Sequence, residues 1–162
     1  MQTHEDALLR IRKTADYQFG KTFGETLFPS AVTITFSRKT GRIRHIFYKG
    51  KLLATLRPTD GMFSLTIRGA KRIVAKVKPL RQWVKVRRDV ASFIAEGKSV
   101  FAKHVVDADD GIRPMAEVIV LGENGRVLAV GRAVLSGEEM KVFKRGVAVR
   151  VRRGIKEEGE EG

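Results

Sequence analysis

Only a few groups of residues in the sequence could do chemistry, and the first of them suggest nucleotide binding. Gly20-Lys21-Thr22 and Gly97-Lys98-Ser99 carry the glycine, lysine and hydroxyl that end a phosphate-binding loop. Such a loop also needs a glycine five residues earlier, where Ala15 and Ser92 stand, and it follows a strand rather than a helix. We therefore expect both glycines to end helices and not to bind a nucleotide.

Metal binding is the second possibility that the sequence offers. Asp107–Gly111 has carboxylates spaced as in a calcium loop, but Ile112 and Val118 stand where that loop needs glycine and glutamate. The chain also has three histidines, His4, His45 and His104. Their spacing matches neither a metal-binding motif nor a catalytic base with its partners. The chain contains no cysteine. We expect no metal, no cofactor and no catalytic residue, with an unrecognised catalytic site as the alternative.

The distribution of charge is more informative than any of these motifs. The net charge is +14, and the last seven residues, Lys156–Gly162, contribute −3 of it, so residues 1–155 carry +17. A positive excess of this size predicts a polyanionic partner, most often nucleic acid. Adaptation to a hot or salty cytoplasm is the alternative, but it would raise acidic and basic residues together.

The first half of the chain predicts an α+β domain with an antiparallel sheet. Thr3 and Asp6 form a helix start, and apolar residues then recur at helical spacing up to Ala15, with Gly20 and Gly24 ending the helix. Alternating apolar and polar residues separated by glycine turns predict four strands over residues 32–67, with Val32, Ile34 and Phe36 on one buried face. A second helix follows Gly69 and stops before Pro79.

The second half predicts a small barrel of about six short strands with two short helices. Glu123-Asn124-Gly125 lies between two apolar runs, as in a tight hairpin, and Ser136 has a glutamate three residues later, as in a capping box. Gly131 interrupts the second hairpin strand, which indicates a bulge or a close backbone approach. The remaining predicted elements are a strand over 82–86, a helix from Asp89 to Gly97 with Val90, Phe93 and Ile94 inward, a strand over 98–106 and a last strand, 147–153.

We place the domain boundary near Pro79. The prediction is an α+β domain over residues 1–78, a barrel over 79–155 and a disordered acidic tail over 156–162. No apolar run approaches the length of a membrane-spanning helix, so we expect a cytoplasmic protein with no membrane partner.

The barrel half resembles a PUA domain, a small RNA-binding barrel of pseudouridine synthases and archaeal tRNA-modifying enzymes. The run Leu128–Ala133 with Ser136 and Met140 downstream carries much of the resemblance. Further residues that carry it are Asp89–Gly97, Ser99–Ala102, and Gly146 before Val147–Val149. The chain differs from the family at Lys103-His104, where Pro-Gly is common, and at Ala116-Glu117, where Gly-Asp is common.

The first half is similar to the segment that precedes the PUA domain in archaeal tRNA-guanine transglycosylases and related archaeosine-pathway proteins. The residues that carry this likeness are Gln18–Gly20, Thr40–Arg44 and Thr59–Gly61. The two resemblances cover nearly the whole chain and include no counterpart of the barrel that holds catalysis in those enzymes.

The resemblance implies an RNA-binding face formed by the first short helix of the barrel and its neighbouring strands. The residues expected to contact RNA are Arg87, Arg88, Lys98, Lys103, His104, Arg132, Arg150, Arg152 and Arg153. A second basic patch is expected on the first domain at Arg38, Lys39, Arg42 and Arg44. These groups suit phosphate and 2′-hydroxyl contacts, which recognise a structured RNA by its shape.

The sequence therefore predicts a non-catalytic protein that binds structured RNA, tRNA or ribosomal RNA, in RNA modification or ribosome biogenesis. One alternative is a detached tRNA-binding subunit of an archaeosine-type tRNA-guanine transglycosylase. The others are an RNA-modifying enzyme and a module that binds an acidic protein.

Overall fold

A computed structural model describes residues 3–157 and separates the chain into two compact units, Met1–Pro79 and Leu80–Gly162. The predicted acidic tail falls largely outside the described residues, since 158–162 are not among them. Residues 155–157 are helical. Within the described part of the chain, no helix is long and apolar enough to cross a membrane.

The N-terminal unit contains the predicted four-stranded antiparallel sheet and the two predicted helices, with a further short helix between them. The strands follow one another in the order β1-β2-β3-β4. In chain order the elements are α1 (His4–Phe19), α2 (Phe23–Leu27), β1 (Thr33–Phe36), β2 (Ile43–Tyr48), β3 (Lys51–Leu56), β4 (Phe63–Leu65) and α3 (Ile67–Lys76).

Helix α1 begins and ends where the sequence predicts. The Thr3 hydroxyl accepts a hydrogen bond from the Asp6 amide, and Gly20 ends the helix with a positive φ of 122°. Gly24, however, does not end α1 but lies inside α2. A Cβ at Gly24 would overlap the backbone carbonyl of Arg12, so this glycine allows α1 and α2 to pack closely.

Two further expectations for this unit are wrong. Ile67 is the first residue of α3 rather than the end of β4, because the Thr66 hydroxyl accepts the Gly69 amide and starts the helix there. Phe36 is 42% exposed although it alternates with buried Val32, because a register shift follows Ile34 in the pairing of β1 with β2.

The C-terminal unit is a mixed six-stranded sheet in the order β6-β10-β9-β8-β5-β7. The parallel pairing of β5 with β8 makes it mixed, while the other pairs are antiparallel. Its elements are β5 (Trp83–Val86), a 3-10 turn (Arg88–Val90), α4 (Ala91–Ala95), β6 (Val100–Phe101), a 3-10 turn (Ala102–His104), β7 (Val105–Ala108), β8 (Glu117–Leu121), β9 (Val127–Ala133), α5 (Gly137–Val142) and β10 (Val147–Gly154).

This sheet curls around one apolar core into a nearly closed barrel, which confirms the predicted fold class. The edge strands β6 and β7 are joined by the 3-10 turn Ala102–His104. Valine and alanine dominate the core, and Ile94 and Met140 contribute from α4 and α5. The many β-branched side chains suit strands that face such an interior.

The β8–β9 hairpin has the predicted turn and close approach. Gly125 has a positive φ of 80° in the turn, and a Cβ at Gly131 would overlap the carbonyl oxygen of Arg150 on β10. The capping box of α5 is also present, because the Ser136 hydroxyl accepts the Glu139 amide and the Glu139 carboxylate accepts the Ser136 amide.

Two expectations for the barrel are wrong. The predicted strand over 98–106 is divided into β6 and β7 by a 3-10 turn, which begins at Ala102, whose amide donates to the Gly146 carbonyl. Phe93, expected in the core, is 57% exposed, because the short helix α4 turns Ile94 and Ala95 inward instead.

Candidate nucleic-acid interface

A bulge in β2 determines which side chains of the N-terminal sheet are exposed. Ile43 and Ile46 are both buried although they are three positions apart on a strand. The reason is that two residues of β2 lie between them, whereas only one residue of β1 lies between their partners, Phe36 and Ile34. The Thr35 hydroxyl accepts the His45 amide at 3.3 Å and donates to the His45 carbonyl at 3.4 Å. The bulge leaves Arg44 exposed.

The second predicted basic patch surrounds the turn that precedes this bulge. The turn is closed by the Ser37 amide, which donates to the Arg42 carbonyl at 2.7 Å, and by the Gly41 amide, which donates to the Ser37 carbonyl at 2.9 Å. All four predicted side chains are exposed: Arg38, Lys39, Arg42 and Arg44. The hairpin therefore concentrates four cations at one end of the sheet, which we name the hairpin patch.

In the barrel, Arg87 links the two 3-10 turns. Its guanidinium donates two hydrogen bonds of 3.0 Å to the Asp89 carboxylate and one of 3.4 Å to the Lys103 carbonyl, and its amide donates to the His104 carbonyl at 3.0 Å. The hydrogen bond from Arg87 holds the pKa of Asp89 below its ordinary value. These hydrogen bonds bring Arg87 close to Lys103 and His104. The Asp89 carboxylate partly balances the positive charge of Arg87.

The surroundings of His104 disfavour its charged form. Its Nδ1 accepts the Phe101 amide at 3.4 Å, and its ring meets the Phe101 ring edge-on at a centroid distance of 5.6 Å. Burial lowers the pKa of His104, and the positive charges of Arg87 and Lys103 lower it further. An accepting Nδ1 places the proton of the neutral ring on Nε2.

Arg88 and Lys98 are exposed cations on either side of α4. The Arg88 amide donates to the Glu123 carboxylate at 2.8 Å, which ties the β8–β9 turn to the start of the helix. The Lys98 amide donates to the Phe93 carbonyl at 3.1 Å, just beyond the helix-ending Gly97, whose φ is 107°. The backbone at both ends of α4 is therefore fixed while the two side chains face solvent.

The cations of β9 and β10 are neighbours across the sheet. Arg132 pairs with Arg150 on one side and with Glu117 on the other, and its Nε donates to the Met115 carbonyl at 3.4 Å. Arg150 is exposed, whereas Arg153 is half-buried beside a register shift. Two like charges thus lie side by side at the β9–β10 pair.

Arg152 has a structural partner. Its guanidinium forms a two-pronged ion pair with the carboxylate of Glu117, with one hydrogen bond of 3.0 Å and a second, shorter one. Glu117 is only 2% exposed, and 37% of the Arg152 side chain is exposed. Of the predicted contact residues, Arg152 is therefore committed to neutralising a buried acid.

Each of the two units matches a known domain family. Residues 9–79 match the patch-forming domain C2 of tRNA-guanine transglycosylase, and residues 82–155 match the PUA domain. The chain is a C2 domain followed by a PUA domain. This confirms both resemblances drawn from the sequence.

Curated relatives of this C2–PUA chain carry both domains as part of a longer protein. The tRNA-guanine(15) transglycosylase of Thermococcus kodakarensis is 48% identical over 145 residues, which are 90% of this chain and 25% of that protein. That of Pyrococcus furiosus is 44% identical over 155 residues, or 96% of this chain and 26% of that protein. The chain spans about a quarter of the length of these relatives.

Solved structures show the same fold over both domains. A hypothetical protein of Pyrococcus horikoshii has a TM-score of 0.77 at 24% identity, over 98% of this chain and 95% of its own. A PUA domain protein of Thermoplasma acidophilum has a TM-score of 0.65 at 20% identity, over 94% of this chain and 90% of its own.

Two exposed aromatic side chains beside these basic residues were not expected from the sequence. Phe93 on α4 and Phe101 at the end of β6 are 57% and 43% exposed. The placement of His104 against Phe101 depends on the 3-10 turn, for which the local sequence has no clear signal. Among residues 3–157, no group of three or more histidine, cysteine or acidic side chains could hold a metal ion.

The Glu117–Arg152 ion pair leads to a prediction about stability. Arg152→Met should lower the free energy of unfolding of the PUA domain by about 2 kcal/mol, because it leaves a buried carboxylate without this guanidinium, while partial exposure of Arg152 reduces the loss. Trp83, the single tryptophan, lies in the PUA domain, so its fluorescence during urea unfolding reports on this domain.

Arg150→Met is the matched control, since this exposed arginine is two residues away on the same strand and should cost less than about 0.5 kcal/mol. Glu117→Gln combined with Arg152→Met should be less destabilising than the sum of the single changes. Additive single changes would show that the two side chains are not coupled.

The surroundings of His104 lead to a prediction about pH. Its pKa should lie below the ordinary value of 6.5 in an NMR titration, and Arg87→Met should raise it because one repelling charge is removed. Since the folded state disfavours the imidazolium, the stability gained from neutral His104 is present above pH 6.5 and is lost as the pH falls through the folded pKa. A pKa of His104 that does not change in Arg87→Met would contradict the proposed electrostatic cause.

Proposed function

We propose that this C2–PUA chain binds tRNA in the cytoplasm and supplies that binding to a tRNA-modifying reaction, without catalysis of its own. The observation that carries the proposal is the match of 90% of the chain, at 48% identity, to a protein named for its action on tRNA. The +17 charge of residues 1–155 provides the attraction that an RNA partner requires.

The exposed cations of the PUA domain are the contacts we propose for the RNA backbone. Arg88, Lys98 and Arg150 are exposed, and their side chains are suited to phosphate oxygens. Arg87 and Arg152 are bound to carboxylates of their own chain, so we assign them to positioning the surface rather than to the main attraction. Lys103, His104, Arg132 and Arg153 complete the proposed face.

The hairpin patch of the C2 domain is the second proposed contact. Its cations project from a turn and a bulge, so they can reach phosphates without displacing any core residue. Contacts to phosphate and 2′-hydroxyl groups recognise the shape of a folded RNA, and two basic surfaces on one chain would favour an RNA long enough to reach both.

The proposal predicts a specific pattern of affinities. tRNA should bind more tightly than duplex DNA, a ribosomal RNA fragment or polyglutamate, and the affinity should fall steeply between about 50 and 200 mM salt because counterions are released. Filter binding or fluorescence anisotropy over a salt series measures both effects. Equal affinity for all four polyanions would contradict the tRNA assignment, and preference for polyglutamate would favour an acidic protein as partner.

Variants that remove positive charges test which face of the PUA domain binds tRNA. Combined Arg88→Ala, Lys98→Ala and Arg150→Ala should weaken tRNA binding about 10-fold or more and reduce the salt slope by about one for each lost phosphate contact. The matched control replaces three exposed cations outside the proposed face, Lys71, Lys76 and Arg113, so that both variants lose the same charge. Similar losses in both sets would mean that only total charge matters. Arg38→Ala with Arg42→Ala and Arg44→Ala tests the hairpin patch in the same assay.

A second candidate is a tRNA-binding subunit for a separate transglycosylase chain, which is favoured by the 48% and 44% identity of the matched region to transglycosylases. If this is correct, adding the protein to a Thermococcus kodakarensis enzyme that lacks the matched region should restore incorporation of labelled guanine into tRNA. The Arg88, Lys98 and Arg150 variant should restore much less. A failure of the wild-type chain to stimulate the truncated enzyme would argue against this role.

A further inference from the structure

The two faces of the C2 sheet differ in how far they are covered. One row of paired residues across β2, β3 and β4 is fully buried: Ile46, Ala54 and Leu65. The neighbouring row is only half-buried: His45, Thr55 and Ser64. Successive residues of a strand point to opposite faces of a sheet. Helix α3, which packs against β3 and β4, therefore covers the first face, and the second row lies on the face that α3 leaves uncovered.

Two aromatic rings lie side by side on this second face. His45 and Phe47 are two positions apart on the central strand β2, so their side chains point to the same face. The ring centroids are 6.2 Å apart and the ring planes are inclined by 54°. Both side chains are half-buried, so part of each ring is accessible. We name these two residues the ring pair.

Short side chains flank the ring pair. Thr33 on β1 pairs with Phe47, and Thr55 on β3 pairs with His45. Leu52 on β3 lies on the other side of Phe47 and extends the apolar surface. Because a threonine side chain is shorter than either ring, these neighbours leave room for a flat ligand over the ring pair.

His45 is fixed in place and still has one ring nitrogen available. Its amide and carbonyl both bond to the Thr35 hydroxyl, and its Nδ1 lies 3.2 Å from the Thr55 hydroxyl. Its Nε2 makes no hydrogen bond to any residue between 3 and 157. An imidazole nitrogen donates or accepts according to the tautomer, so Nε2 can bond to the polar edge of a ligand.

Positive charge surrounds the ring pair. Residues 33–56, which include β1, β2 and β3, contain six lysine and arginine residues and no acidic residue. Arg44, an exposed member of the hairpin patch, directly precedes His45. This charge attracts a polyanion, whereas an uncharged apolar ligand would gain nothing from it. A flat apolar surface next to cations suits a nucleotide, which carries both a planar base and a phosphate.

We propose that the ring pair binds an unpaired base of the RNA. Phe47 stacks on the base, His45 Nε2 bonds to its edge, and the hairpin patch holds the neighbouring phosphate. The inference rests on the proposed RNA-binding function and adds a contact with a base to the contacts with the backbone. Aromatic side chains on a small sheet can bind unpaired bases in this way, because every base has a flat π face. A base inside a duplex cannot enter the site, because its faces are already stacked on its neighbours.

Removing the ring of Phe47 tests the stacking. Phe47→Leu should weaken the binding of an unpaired RNA strand of about ten nucleotides about 10-fold, and should change the affinity for an RNA duplex less than about two-fold. The salt dependence of strand binding should keep its slope, since stacking releases no counterions. Fluorescence anisotropy with labelled strands and duplexes over a salt series measures all three quantities.

Three further variants make the test specific. Phe36→Leu is the matched control, because Phe36 is 42% exposed but pairs with buried Ile43 on the other face of the sheet, and it should bind the strand as the wild type does. Phe47→Tyr keeps the ring and should also retain wild-type affinity. His45→Phe keeps a ring but removes Nε2, so strands of adenine, cytosine and uracil should bind more equally than they bind to the wild type.

The outcomes separate this inference from the proposed function. Equal losses in Phe47→Leu and Phe36→Leu would overturn the stacking, because general destabilisation would explain them. Wild-type tRNA binding without strand binding, or strand binding that is unchanged in Phe47→Leu, would overturn the ring pair as a base site and leave the proposed function intact. An unchanged base preference in His45→Phe would overturn the assigned hydrogen bond. Failure of the wild-type chain to bind either tRNA or the strand would overturn the proposed function and this inference with it.

Discussion

The PUA domain depends on the ion pair between Glu117 and Arg152, which connects β8 with β10 across the intervening strand β9. Two strand spacings are about 10 Å, so only a long side chain can bridge them. The carboxylate is buried and would be costly without its guanidinium. Arg132 pairs with Glu117 on one side and with Arg150 on the other, so these two cations lie on the strands that the ion pair connects.

Intramolecular carboxylates divide the basic residues into two groups. Arg87 and Arg152 hold acids of their own chain, and their guanidinium groups fix the geometry of the 3-10 turns and of the central strands. Arg88, Lys98, Arg150 and the hairpin patch are exposed. The net charge alone therefore overstates how many cationic side chains an RNA could contact. The cations of the second set carry the proposed RNA binding.

The sequence by itself determined the features that depend on neighbouring residues: the cap of α1 at Thr3, the β8–β9 turn, the capping box at Ser136 and the C2–PUA assignment. Each follows from side chains a few positions apart, whose hydrogen bonds and permitted φ values are local. Only the tertiary structure decided that Arg152 neutralises Glu117, that the β2 bulge exposes Arg44, that Phe93 faces outward and that β6 and β7 are separate. These outcomes depend on strand register and on contacts between residues far apart in sequence, which no local pattern specifies. The RNA-contact residues stay a prediction for the same reason, because their roles depend on which exposed cations a folded RNA can reach together.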